Sequence, residues 1–374
     1  MKFTADSAKL KDLITVADSL TDKGSLVFSD RYLKLSTLTG RLEISNSSQI
    51  HACTLFMDDV SIDTAGVLCA EFISPFIKEL EDSDKNVSVS ADDSKIVIKR
   101  GRKSGKIPAV PVANYIDRFV SNGVEEKLFI FKKAELQGLV QAAASVEIAN
   151  CKNVNLRALN LKSTNNQLSA YFGDGITMFK TIIGTCDTEF EVNIPLQVLP
   201  KLNNFLRISN LAKDSAIVML KTENSIIFKS SFGVFAAGLQ AFSFPNVSSI
   251  FDTTKCELVN IPVAELHEHF KAADGLFKEY KYVVCNIRTS NDGNFFIVSN
   301  KVKDYEYEGE INNPDHLSMD FYVYADAVKT ACSFIKEDAN FFVRMRGNDV
   351  AMLGLMSPSK TFITVPIIKQ KVEV

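Results

Sequence analysis

Lys2–Leu20 reads KFTADSAKLKDLITVADSL: a short extended apolar segment, then a helix-length segment with one apolar face. Leu10, Leu13, Ile14, Ala17 and Leu20 recur at helical spacing. Asp6 stands at the N-cap position and Gly24 follows the end, so the spacing predicts a helix over 7–20. The same phrase returns at Val67–Leu80, Lys127–Val146, Glu189–Ile208, Glu257–Phe277 and Asp320–Ile335. The later helices are expected at Ser74–Leu80, Lys132–Val146, Leu196–Ile208, Val263–Phe277 and Ala325–Ile335. Pro75 suits a first turn, where a missing N–H costs nothing. Pro200 is expected to kink or delay its helix. Repetition on this scale points to a function of assembled shape rather than of one catalytic pocket.

Between the helices lie β-rich segments bounded by turn residues: Ser25–Phe28, Tyr32–Thr37, Arg41–Ser45, Asn86–Ser90, Lys95–Lys99, Ala216–Lys221, Ser225–Lys229, Phe341–Arg346 and Val350–Leu355. The order β-α-β-β-β therefore recurs, twice per domain. Breaks at Asn122–Glu126 and Ser248–Thr254 set domains at 1–122, 123–252 and 253–374. The fold class is α+β, with three tandem domains.

At 374 residues, 46% of them hydrophobic, the chain has the composition of ordinary globular domains and exceeds one core. Its seven cysteines are far apart and form no C-x-x-C pair, so they read as free thiols in a reducing compartment. Lys2, Asp6, Lys9 and Lys11 break up any signal-peptide pattern, and no apolar run is long enough to span a bilayer. A cytoplasmic location is expected, with no membrane partner. The net charge of −3 argues against a nucleic-acid binder taken as an average, but an acidic surface can carry one basic face. The predicted helices do carry cations opposite their apolar stripes: Lys9 and Lys11, Lys132 and Lys133, Lys201 and Arg207, Lys271, Lys329 and Lys336. Read singly, each is a solvated lysine. Gathered on one surface, they would track phosphates without reading bases.

Catalytic and metal signatures are weak. His267 and His269 are two residues apart on a predicted helix, so their rings diverge. Gly173-Asp174-Gly175 lacks a phosphate-loop frame and reads as a turn. No metal site, cofactor or enzyme activity is expected.

The ordered repeats, together with Met1-Lys2-Phe3-Thr4, Arg100-Gly101-Arg102, Pro111–Tyr115, Asn155–Leu161, Asp174-Gly175, Phe244-Pro245-Asn246 and Val365-Pro366-Ile367, resemble the bacterial β sliding clamps over essentially the full length. The resemblance implies a head-to-tail homodimeric ring, helices inside and sheets outside, threaded by duplex DNA. It implies a replicative DNA polymerase and an ATP-dependent clamp loader as partners. It makes Lys9, Lys11, Lys23, Lys132, Lys133, Asn150, Lys152, Lys201, Arg207, Lys271, Lys329 and Lys336 the DNA-facing candidates. It sets a partner-peptide pocket at Leu156, Gly175, Ile176, Thr177, Met178, Pro245, Ile250, Ile363, Thr364, Val365, Pro366 and Ile367. It sets a subunit interface at Lys103 and Ile107 against Leu276 and Phe277. Gly173–Met178 departs from the family's usual Thr-Asp-Gly-His-Arg-Leu, which fits a divergent, phage-encoded member with altered peptide specificity. The other readings are a trimeric clamp, which would have two domains per chain, a repeat-built interaction scaffold that does not encircle DNA, and an enzyme with an unrecognised site.

Overall fold

Ser7–Leu20 forms helix α1 with the bounds its periodicity predicts. The Asp6 carboxylate accepts the Lys9 N–H at 2.9 Å, which satisfies one orphan donor of the first turn. All five residues of the apolar stripe are buried. This computed structural model describes residues 1–71, 86–92, 94–118, 124–146, 148, 151–175, 177–208, 215–254, 256–277, 283–302, 305–335, 339–346, 349–359 and 361–368. The other helices among them are α2 (Lys133–Ala144), α3 (Leu199–Leu206), α4 (Val263–Leu276) and α5 (Ala325–Phe334). The helix expected at 74–80 lies outside the described residues. Pro200 sits in the first turn of α3, after a 3-10 turn at Leu196–Val198, so it delays the helix rather than kinking it.

One predicted strand is absent. Ser25–Phe28 is a bend leading into the 3-10 turn Phe28–Arg31. The Ser25 hydroxyl accepts the Val27 N–H at 3.1 Å, and Arg31 Nε donates to the Ser25 carbonyl at 2.8 Å. These local bonds replace the ladder bonds that a strand would need.

The chain folds as two compact units, Met1–Ser145 with Ile194–Ala241, and Val146–Asn193 with Phe242–Val374. In the first unit a five-stranded sheet runs Val60–Thr64, Lys2–Asp6, Asn86–Ala91, Lys95–Arg100, Lys103–Pro108. An eight-stranded sheet runs Glu126–Lys132, Ala216–Lys221, Ser225–Ser230, Gly233–Gly238, His51–Met57, Leu42–Ser47, Leu33–Ser36, Val67–Ala70. Helices α1 and α2 both pack on α3. The strand leading each repeat joins the other repeat's sheet. Lys2–Asp6 pairs with Asn86–Ala91, and Val67–Ala70 pairs with Leu33–Ser36. Neither repeat completes its sheet alone, which is why the repeats work in pairs.

The second unit repeats the plan. Its eight-stranded sheet runs Phe190–Pro195, Ala158–Thr164, Gln167–Gly173, Met178–Thr185, Thr361–Val365, Asp349–Met356, Ala339–Arg346, Glu257–Ile261. Its five-stranded sheet runs Tyr305–Asn312, Phe295–Val302, Val284–Thr289, Asp320–Tyr324, Ile367–Ile368. Helix α4 packs on α5. The same exchange occurs, Glu257–Ile261 with Ala339–Arg346 and Asp320–Tyr324 with Val284–Thr289. No described helix is long and apolar enough to cross a membrane. The cysteines are free thiols, all buried except the half-buried Cys256.

A buried histidine ties α1 to the first unit's large sheet. His51 stacks on Phe235 with ring centroids 5.6 Å apart, and its Nε2 lies 3.0 Å from the Leu20 carbonyl. Burial, reinforced by the nearby Lys201 charge, lowers its pKa from 6.5 to about 4. The unfolded chain therefore binds more protons than the folded one between these values. The stabilisation is complete above about pH 6.5 and is lost as pH falls towards 4. From pH 7 to 4.5 this group alone should remove about 2.5 kcal/mol of stability. Urea unfolding of the wild type and of His51→Asn over that range checks this: the variant's curve should be flatter.

Candidate functional site

Apart from Lys11, the described cations among the DNA-facing candidates fall into three sets. Lys152, Arg207 and Lys271 are exposed and form no ion pair with a described residue. Lys132, at the N-cap of α2, is also exposed and reaches Glu135 only at 4.0 Å. A second set is held by carboxylates of the same chain. Lys9 Nζ is 2.6 Å from Asp59, Lys23 Nζ is 2.6 Å from Asp18, and Lys329 Nζ is 2.6 Å from Asp274 and 2.8 Å from Asp326. Hydrogen bonds to these acids raise the pKa of Lys9 and of Lys329. Lys11 is half-buried on α1.

The third set corrects the sequence expectation. Lys133 is buried, and its Nζ donates to the Ile208 carbonyl at 2.8 Å. Its stem packs inside and its charge is spent on backbone, so it presents no cation on an exposed helix face. Lys201 donates to the Ser19 and Thr21 carbonyls at 2.9 and 2.8 Å, capping the end of α1. Burial lowers the pKa of both. Asn150 and Lys336 lie outside the described residues.

The expected peptide-pocket residues all belong to the second unit. Asp174 Oδ1 accepts the Thr177 N–H at 2.7 Å, and Gly175 has φ +93°, so the turn before Met178 needs a residue without Cβ strain. Strand Met178–Thr185 pairs with Thr361–Val365, and Met178 N–H donates to Thr364 Oγ1 at 2.8 Å. This brings Met178 beside Ile363 and Thr364. Leu156 and Met178 cluster with Phe244, Val247, Phe251, Phe342 and Phe362, and half-buried Ile250, Tyr171, Met352 and Met356 pack against them. Phe342 lies across Gly354, where any Cβ would collide with its ring.

Two pocket assignments are corrected by register. Phe179 is paired with Ile363 and meets Phe334 of α5 edge-on at 5.1 Å. Side chains alternate along a strand, so Ile363 and Val365 face the helix, while Phe362 and Thr364 share the face of Met178. Gly175 is exposed, and Thr177, Pro245, Ile250, Pro366 and Ile367 are half-buried. Ile176 lies outside the described residues. Tyr171, Met352 and Met356 were not anticipated. Nothing local marks them, because each reads as an ordinary strand residue.

Lys103–Pro108 is an edge strand, with Lys103 exposed and Ile107 half-buried. Of the residues expected opposite it, Leu276 is 48% exposed but Phe277 is 1% exposed. Phe277 is therefore core, not interface. The second unit's five-stranded sheet has its own edge at Tyr305–Asn312, where Glu306, Glu308 and Glu310 are exposed at period two. Tyr307, on the other face, has its hydroxyl 2.7 Å from His269 Nδ1. The alternation YEYEGEIN was the missed signal. Among the described residues no group of three metal-ligating side chains occurs.

The mixed α+β architecture with four antiparallel sheets is that of the DNA sliding clamps. The solved structures similar to this chain include the DNA polymerase sliding clamp of Bacillus subtilis, with TM-score 0.87 and 13% identity over 99% of both chains. They also include the DNA polymerase III β subunit of Pseudomonas aeruginosa, with TM-score 0.85 and 14% identity over 99% of this chain and 100% of that one. The β subunit from Streptococcus pyogenes matches with TM-score 0.85 and 12% identity over the same shares. No protein-family model matches the sequence, and no curated protein does.

Proposed function

We propose that this protein is a DNA sliding clamp, a non-catalytic processivity factor. The observation that carries the reading is the agreement of fold with polymerase clamps over 99% of the chain. Three domains, at 1–122, 123–252 and 253–374, each hold two repeats. Two chains join head to tail, and the resulting ring encircles duplex DNA in the cytoplasm. The exposed cations Lys132, Lys152, Arg207 and Lys271 suit weak, sequence-independent phosphate contacts, which permit sliding. An ATP-dependent loader would open the ring, and a replicative polymerase would be tethered through a short peptide at the groove of Met178, Ile250 and Phe362.

Charge supports the head-to-tail arrangement. One free sheet edge carries Lys103 and Lys106, and the other carries Glu310 with Glu306 and Glu308, which also pair with Lys301 and Arg288 of their own chain at 3.3 Å. Exposed edges invite pairing with another chain, and opposite charges choose which edges meet. The test is topological. Protein loaded on nicked circular duplex should remain through gel filtration and be lost when the circle is cut to linear DNA. A scaffold that does not encircle DNA would show no difference between the two forms.

A further inference from the structure

Strand Met178–Thr185 carries, two residues after Met178 and on the same face, a cation that the clamp reading leaves unused. Lys180 pairs across the sheet with Tyr171 on one side and Phe362 on the other. Its Nζ lies 5.2 Å from the Phe362 ring centroid and 5.9 Å from that of Tyr171. Phe251 closes the aromatic wall, 6.1 Å from Tyr171 and 6.3 Å from Phe362. Lys180 is half-buried and forms no ion pair with any described carboxylate. Glu191, the acid whose charge acts on Tyr171, is already committed: it accepts from Lys162 at 3.1 Å and from Asn160 at 2.9 Å.

We propose that Lys180 makes this groove select peptides that carry a carboxylate beside their apolar anchor. The inference rests on the reading of the groove as a peptide site. An ammonium pressed against aromatic rings has lost part of its water and gained only cation–π attraction. Burial lowers the pKa of Lys180, with no opposing charge to restore it. An arriving carboxylate supplies the missing charge-assisted hydrogen bond in a partly desolvated site, where it is worth most. The spacing also defines the ligand. Lys180 is one two-residue repeat, about 7 Å, from Met178. An extended peptide would therefore place Asp or Glu two residues from an aliphatic anchor seated against Met178 and Ile250.

The experiment uses the full chain and two fluorescent synthetic peptides. Both have leucine and phenylalanine anchors, and they differ only in Asp or Asn two residues from the leucine. Wild-type protein should bind the Asp peptide about tenfold more tightly, with the gap narrowing in high salt. Lys180→Met should bind the two peptides equally while keeping wild-type affinity for the Asn peptide, and Lys180→Arg should keep the preference. Equal binding of both peptides by wild type, or a preference that survives in Lys180→Met, overturns the proposal and leaves the peptide groove standing. Failure of wild type to bind either peptide overturns the groove reading and the proposal with it.

Discussion

Reversing the charge of Lys152, Arg207 and Lys271 together should cut retention on circular duplex DNA about tenfold or more at physiological salt, and should flatten its salt dependence. Each phosphate contact removed lowers the slope of log affinity against log salt by about one. These three cations are exposed and held by no described carboxylate. Lys133→Met is the contrasting variant. Its ammonium is bonded to the Ile208 carbonyl, so its loss should lower thermal stability and leave the salt slope of DNA retention unchanged. Identical DNA phenotypes for the triple variant and for Lys133→Met would refute the division into exposed and structural lysines. Retention half-lives on nicked circles at several salt concentrations, beside melting curves, give both readouts.

The second large effect concerns assembly. If two chains join through these edges as proposed, Lys103→Glu with Lys106→Glu should leave a folded monomer, and so should Glu308→Lys with Glu310→Lys. Like charges facing each other across paired edges cost several kcal/mol. Mixing the two monomeric variants is the informative step. In a head-to-tail dimer, one interface then joins the two reversed edges and the other joins two unaltered edges, so both are complementary. Mass measurement by light scattering should show the dimer restored. If each edge instead paired with its own copy, in an isologous interface, each single variant would only exchange one set of facing like charges for another and would remain as dimeric as the wild type.

The helices were legible because their signal is local. Leu10, Leu13, Ile14, Ala17 and Leu20 mark one face whatever surrounds them, and all are buried. Strand pairs such as Ala216–Lys221 with Ser225–Ser230 were legible for the same reason. The candidate site was less so. Lys133 looks like any solvated cation until the Ile208 carbonyl, 75 residues away, meets its Nζ. Ile363 and Val365 looked like pocket residues beside Pro366. Their direction depends on the pairing of Phe179 with Ile363 across the sheet. Phe277, beside exposed Leu276, could be assigned to the core only once α4 was packed.

By itself, the sequence determined the recurring β-α-β-β-β order, the bounds of α1 and the absence of a motif that would make the chain an enzyme candidate. These follow from periodicity and residue type, which act over a few residues. Only the tertiary structure decided that the leading strands cross between paired repeats, which lysines keep their charge for solvent, and that Lys180 stands among aromatic rings without a carboxylate. Each of these is a relation between segments distant in sequence. Register and burial set such relations, because moving a strand by one residue turns every side chain to the other face.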